Sequence, residues 1–130
     1  DYIPGQELTV GVMGGKAMGV TELRPLSGFY SYEAKYTDGK TEHLCPAPIS
    51  DSLAQSCMDI AERAHIALGC RGVSRSDFRY DATTERLVIL ETNTQPGMAP
   101  LSLVPEQARH IGMSFEELVT WMVENAECDS

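Results

Sequence analysis

Two short runs, 72–80 and 86–93, are separated only by the polar turn from Asp81 to Glu85. Both are rich in strand-forming residues, and a connection this short favours an antiparallel hairpin. Strand side chains alternate faces, so residues two apart share one. Arg75 and Asp77 therefore point the same way, and so do Glu91 and Asn93. One face of the paired strands then carries two carboxylates, an amide oxygen and a guanidinium. Hard oxygen donors of this kind suit Mg2+, which is typically held by one or two carboxylates and bridges substrate phosphates. The hairpin face reads as a nucleotide-phosphate site.

The ordinary reading of charged residues alternating with Val, Ile and Leu is the wet face of a half-buried sheet. Two details favour a binding face instead. Leu87 and Ile89 share parity with Glu91 and Asn93, so the acidic pair is expected to extend an apolar row. Pro96 and Gly97 follow directly, and a glycine lets a backbone N–H approach a ligand closely.

Elsewhere the pattern alternates between strands and helices. Leu8, Val10 and Val12 give residues 7–13 one apolar face, Gly14-Gly15 is a hairpin signal, and 17–23 can return antiparallel. Residues 24–48 show no periodicity and hold the aromatic stretch 29–36, which fits either a functional lid or a plain omega loop. Residues 50–68 form an amphipathic helix with Leu53, Cys57, Ile60, Ala61, Ala64 and Leu68 on one stripe and Gly69 as its stop. His65 is expected at its surface or edge. Pro105 opens a short helix over 105–111. Ser114 and Glu117 form a capping box, and Phe115, Leu118, Val119, Met122 and Val123 make the stripe that follows. Two antiparallel strand pairs covered by helices predict an α+β fold. Ser74, Ser76 and Ser102 have no suitably spaced histidine, so no nucleophilic triad is expected.

At 130 residues the chain is one domain at most. Its net charge of −9 opposes non-specific nucleic-acid binding, which needs a basic surface. No apolar run reaches transmembrane length, so no membrane partner is expected. Cys45, Cys57, Cys70 and Cys128 form no CxxC pair and fit no common zinc spacing, which reads as reduced thiols of a cytoplasmic protein. The chain opens at Asp1 and runs straight into a strand pattern, as expected of a piece of a longer chain.

The stretches ELTVGVMG, FYSYEAKYTDG with HLCPAPI, LGCRGVSRSDF, LETNTQPGM and SLVPEQARHIGMSF resemble D-alanine-D-alanine ligase in order and spacing. The resemblance covers nearly all of residues 1–130. It implies the C-terminal part of an ATP-grasp ligase domain, an antiparallel sheet packed with helices, carrying half of a nucleotide clamp. Members of the family join two D-alanines with ATP through an acyl phosphate, for peptidoglycan precursors.

The resemblance also implies roles. Asp77, Glu91 and Asn93 match ligands of two Mg2+ ions, which Mn2+ can replace, with Glu91 bridging them. Arg75 matches the arginine that stabilises the acyl phosphate and the tetrahedral oxyanion, and the Gly97 N–H completes the oxyanion hole. Ser102 and Leu103 match the site for the second D-alanine carboxylate. Glu7 matches the residue that accepts from the ATP ribose hydroxyls, while Tyr2 and Ile3 sit at the adenine pocket and hinge. Asp1 stands where the family usually has lysine. Lys35 and Tyr36 match the mobile loop, with Lys35 reaching the γ-phosphate, so the resemblance favours the lid over the omega loop. Tyr36 resembles members that make the dipeptide. The implied partners are ATP, D-alanine, the remainder of the ligase chain, without which this segment is expected to be inactive, and a second copy in a homodimer. Two other readings stay open. One is an ATP-grasp ligase with D-lactate or D-serine as second substrate. The other is a non-catalytic module that binds Mg-nucleotide.

Overall fold

The computed structural model describes residues 3–25 and 41–128. The strands are β1 (Gln6–Met13), β2 (Lys16–Pro25), β3 (Thr41–Leu44), β4 (Val73–Asp81) and β5 (Arg86–Asn93). The helices are α1 (Asp51–Ala67), α2 (Leu103–His110) and α3 (Phe115–Glu124). Among the described residues the strands form one antiparallel sheet in the order β3-β2-β1-β4-β5. The two expected hairpins are thus one sheet, joined through β1 and β4. Gly14 and Gly15 close the first hairpin at φ +60° and +85°, a backbone region that favours glycine.

The sheet lies between helices. Leu8, Val10, Val12, Val20 and Phe78 face α1 and form one apolar cluster with Cys57 and Ala61. On the opposite face Met18 and Val73 pack with Val104 and Ala108 of α2 and Leu118 of α3. Covering both faces explains why β1 is buried from Glu7 to Val12, not on alternate residues. Ser50 caps α1 by accepting from the Leu53 N–H at 3.2 Å. The capping box at α3 is complete, with Glu117 N–H to Ser114 Oγ and Ser114 N–H to Glu117 Oε1 both at 3.1 Å. Hydrogen bonding from the Ser114 N–H, and then from the Ser114 side chain, lowers the pKa of the Glu117 carboxyl.

Several expectations change. Residues 24–48 are not all irregular, because Thr41–Leu44 forms β3 against β2. Its TEHL sequence shows no alternation because an outer strand that is only half buried borrows its register from its neighbour. Leu68 is 65 % exposed, since it is the C-cap beyond the last turn of α1. Val119 and Val123 also face outward, leaving Leu118 as the buried residue of α3. The α2 helix begins at Leu103, two residues earlier than expected. All four cysteines are free thiols, and burial pushes the Cys57 thiol up to about 11.

His65 is not at the surface. It is 4 % exposed, and its Nδ1 lies 2.7 Å from Ser74 Oγ in a hydrogen bond. A histidine therefore does meet one of the serines, contrary to the spacing argument, but Ser74 is fully buried and the pair is a packing contact. Burial lowers the His65 pKa below 6.5. The unfolded chain then binds more protons than the folded one as pH falls below about 6.5. Stability from neutral His65 is complete above that value and is lost as pH falls to its folded pKa. Urea denaturation of the wild type and a His65→Gln variant between pH 7.5 and 5 checks this. The wild type is expected to lose more stability on acidification, and parallel curves would exclude the effect.

Candidate functional site

The site face of the sheet is the one opposite α1. Antiparallel register sets its side chains in rows across the strands. One row runs Thr21, Thr9, Asp77, Glu91, and the next runs Gly19, Gly11, Arg75, Asn93. Directly opposed side chains share a face, so the register brings Arg75, Asp77, Glu91 and Asn93 together as expected. Glu7 continues the face two residues before Thr9 on β1, opposite Arg79 and Leu23. Ile3 is buried beside this end, and its carbonyl accepts from Arg79 Nε at 3.0 Å.

Leu87 and Ile89 do not share a face with Glu91 and Asn93, contrary to expectation. Leu87 and Ile89 pair with Tyr80 and Phe78, while Glu91 and Asn93 pair with Asp77 and Arg75. The register shifts between Asp77 and Phe78, so Leu90 is an extra residue. Such a bulge resets which side chains share a face. Leu87 thus points to the α1 core, and the carboxylates stand on the other side. The acidic pair does not extend an apolar row. It shares its face with Arg75 because the bulge turns it there.

Asp77 is the most enclosed of the set at 5 % exposure. Arg75 Nε donates to its Oδ1 at 3.1 Å and Arg75 Nη2 to its Oδ2 at 3.3 Å. Thr9 Oγ1 donates to the same Oδ1 at 2.7 Å. A carboxylate offers about four lone-pair sites, so three donors leave one open. The Asn93 Oδ1 accepts from the Gln95 N–H at 2.8 Å and keeps its second lone pair. Glu91 is exposed, with no ion pair among the described residues. Two carboxylates and an amide with open oxygen sites fit a hard divalent cation. Among the described residues there is no group of three His, Cys, Asp or Glu that could hold one.

Beyond β5 the chain turns back toward α2. Pro96 is buried and Met98 packs on the second cluster, which fixes Gly97 between them on the surface. A Cβ at Gly97 would meet Ser102 Oγ at 3.2 Å, so this glycine and hydroxyl are close neighbours. Ser102 is the N-cap of α2, its Oγ accepting from the Ala99 N–H at 3.1 Å, and Leu103 opens the helix. A helix N-terminus carries partial positive charge and spare N–H donors, which suits a carboxylate. Tyr2, Lys35 and Tyr36 lie outside the described residues.

Thr9 and Gln107 also border this face, and neither is among the residues expected from the sequence. Their signal was a polar residue amid the apolar positions of β1 and another on the packed side of α2. An open depression of about 330 Å3, lined by Gly14, His65, Cys70, Gly72 and Trp121 among others, contains none of the face's residues. No helix among the described residues is long and apolar enough to cross a membrane.

Residues 1–124 match the family model for the D-ala D-ala ligase C-terminus. The chain is 56 % identical over 131 residues to the D-alanine–D-alanine ligase of Novosphingobium aromaticivorans, covering 99 % of this chain and 42 % of that protein. It is 59 % identical over 127 residues to that of Sphingopyxis alaskensis, covering 96 % of this chain and 41 % of that one. Among solved structures it resembles the Bacillus anthracis D-alanine–D-alanine ligase complexed with ATP, with a TM-score of 0.79 and 27 % identity over 95 % of this chain and 40 % of that one. The VanG D-Ala:D-Ser ligase of Enterococcus faecalis is similar at TM-score 0.79 and 31 % identity over 95 % of this chain and 37 % of that one. The chain thus spans about two fifths of the relatives it matches. Its α+β sheet is of the ATP-grasp type, and the chain belongs to the D-alanine–D-alanine ligase family, matching that family's C-terminal part.

Proposed function

We propose that residues 1–130 form the C-terminal part of an ATP-grasp ligase domain, and that the ligase joins two D-alanines for peptidoglycan precursors, with formation of ADP. The observation that carries this reading is the cross-strand pair Asp77 and Glu91, flanked by Arg75 and Asn93, in a chain of this family. Asp77, Glu91 and Asn93 would hold two Mg2+ ions, with Mn2+ as a substitute. The ions would neutralise phosphate charge as the γ-phosphoryl group moves.

The chain's own residues supply the rest. Glu7 accepts hydrogen bonds from the ribose hydroxyls, and Tyr2 and Ile3 border the adenine. The first D-alanine carboxylate attacks the γ-phosphate to give an acyl phosphate and ADP, and the second D-alanine amine then displaces inorganic phosphate as the peptide bond forms. Arg75, always charged, offers donors to that acyl phosphate and to the oxyanion formed when the second amine attacks. The Gly97 N–H adds a donor to that oxyanion, and its lack of a side chain keeps the approach open. Ser102 and Leu103 hold the second D-alanine carboxylate at the α2 N-terminus. Lys35 and Tyr36 belong to a lid that excludes water from the acyl phosphate.

The site is an open sheet face, which agrees with a nucleotide clamp completed by the remainder of a ligase chain. Residues 1–130 alone are therefore expected to release no dipeptide. The enzyme works in the cytoplasm, where ATP is available, and as a homodimer. The curated relatives at 56–59 % identity are named for D-alanine, which favours the dipeptide over a D-serine product.

The test places these residues in the matching part of the Novosphingobium aromaticivorans ligase and measures D-alanine-dependent ADP release, with products identified by mass. D-alanyl-D-alanine is the expected product. A requirement for D-serine or D-lactate would change the specificity and keep the chemistry. Mg-ATP binding with no D-amino-acid turnover would leave only a nucleotide-binding module.

A further inference from the structure

We propose that Thr9 is a positioning residue for the Asp77 carboxylate, and that Gln107 fixes Thr9 to α2. The metal carboxylate and the second-substrate site then share one rigid register. This rests on the ligase reading above and adds two residues to it.

Thr9 is fully buried, and its hydroxyl lies 2.7 Å from Asp77 Oδ1 and 3.2 Å from the Ser76 carbonyl oxygen. Both neighbours accept only, and the hydroxyl has one proton. The carboxylate is the nearer and the charged acceptor, so the proton belongs there. Asp77 Oδ1 is therefore held by Thr9 from β1 and by Arg75 from its own strand. Two donors on one oxygen set the rotation of the carboxylate and leave Oδ2 the freer atom. Outer partners of this kind orient ligating carboxylates.

Gln107 fixes the other side of Thr9. Its side chain is 1 % exposed and makes three hydrogen bonds. Oε1 accepts from the Gly11 N–H at 2.8 Å, and Nε2 donates to the Thr9 carbonyl at 3.1 Å and to Thr21 Oγ1 at 2.9 Å. The amide enters the sheet where the β1–β2 register shifts between Gly11 and Val12. Gly11 makes room for it, since a Cβ there would lie 3.0 Å from Oε1 and 2.8 Å from Met18 Cε. An apolar residue would fill this position between Val104 and Ala108 equally well. What an amide adds is a defined register between α2, which begins at Ser102, and the strand that holds Asp77.

Mn2+ binding in the presence of ADP, followed through the paramagnetic signal of free Mn2+, tests this on the whole ligase carrying these residues. Thr9→Val keeps the branched shape and removes the hydroxyl. It is expected to weaken Mn2+ binding by about 10–100-fold and to raise the Mg2+ needed for half-maximal turnover alike. Thr9→Ser restores the donor and is expected to bind within about threefold of the unsubstituted ligase. Gln107→Met keeps the volume and touches neither Thr9 Oγ1 nor Asp77. It is expected to weaken Mn2+ binding by about threefold or more, and to raise KM for the second D-alanine by about tenfold with a smaller change in kcat. Unchanged Mn2+ binding in Thr9→Val, or a Thr9→Ser variant as weak as it, overturns the role of Thr9. If Thr9→Val does not fold, Gln107→Met decides, and unchanged Mn2+ affinity and KM overturn the proposal. Failure of the unsubstituted ligase to bind Mn2+ with ADP or to turn over D-alanine would count against the ligase reading instead.

Discussion

Replacing Glu91 with glutamine is expected to lower D-alanine-dependent ADP release by about 10²–10³-fold while the domain stays folded. Glutamine keeps the length and an acceptor oxygen but removes the charge. Glu91 stands directly across from Asp77 on β5. With Asn93 neutral, these are the two formal negative charges in the proposed cation set. Losing one removes charge stabilisation of several kcal/mol, and each 1.36 kcal/mol is tenfold in rate. The fold has little stake in it, because Glu91 is exposed and makes no ion pair among the described residues. Substitutions at such positions usually change stability by no more than about 0.5 kcal/mol. Turnover with excess Mg2+, measured beside urea denaturation, separates the two effects. Near-normal turnover would remove Glu91 from the cation site, and a large stability loss would make its role structural.

Phe78→Ala is expected to cost about 3–5 kcal/mol of folding stability. Phe78 is completely buried, opposite Leu8 in the β1–β4 ladder and in the cluster that α1 covers. Truncation removes a large apolar side chain and leaves a cavity in a sheet that cannot easily collapse. The cavity lies under the strand position next to Asp77, so the loss also loosens the floor of the site. Urea denaturation of the 130-residue chain gives the value directly. Phe78→Leu, which keeps most of the volume, should cost less than about 1.5 kcal/mol. A loss below about 1 kcal/mol for alanine would mean that α1 does not seal this face.

The periodicity and punctuation of the chain specify most of its elements. Gly14-Gly15, the Ser50 and Ser114 caps and the alternation of β1 and β4 act through neighbours in sequence, so their outcome is written locally. The β3 strand carries no such signal, because its register comes from β2. The burial of His65 was equally hidden. It depends on Ser74 arriving from β4, nine positions along the chain and in another layer of the fold.

The site divides along the same line. Alternation alone pairs Arg75 with Asp77 and Glu91 with Asn93, since residues two apart in a strand share a face whatever the fold. Tertiary structure decided which face the second pair would join. The extra residue Leu90 resets the parity of β5, so counting from Leu87 leads to the wrong side of the sheet. Thr9 meets Asp77, and Gln107 meets Thr9, only through contacts 68 and 98 positions apart in sequence. A local pattern can specify what a strand presents. What faces it across the sheet depends on bulges and on helices packed from elsewhere in the chain, and no spacing within the strand encodes them.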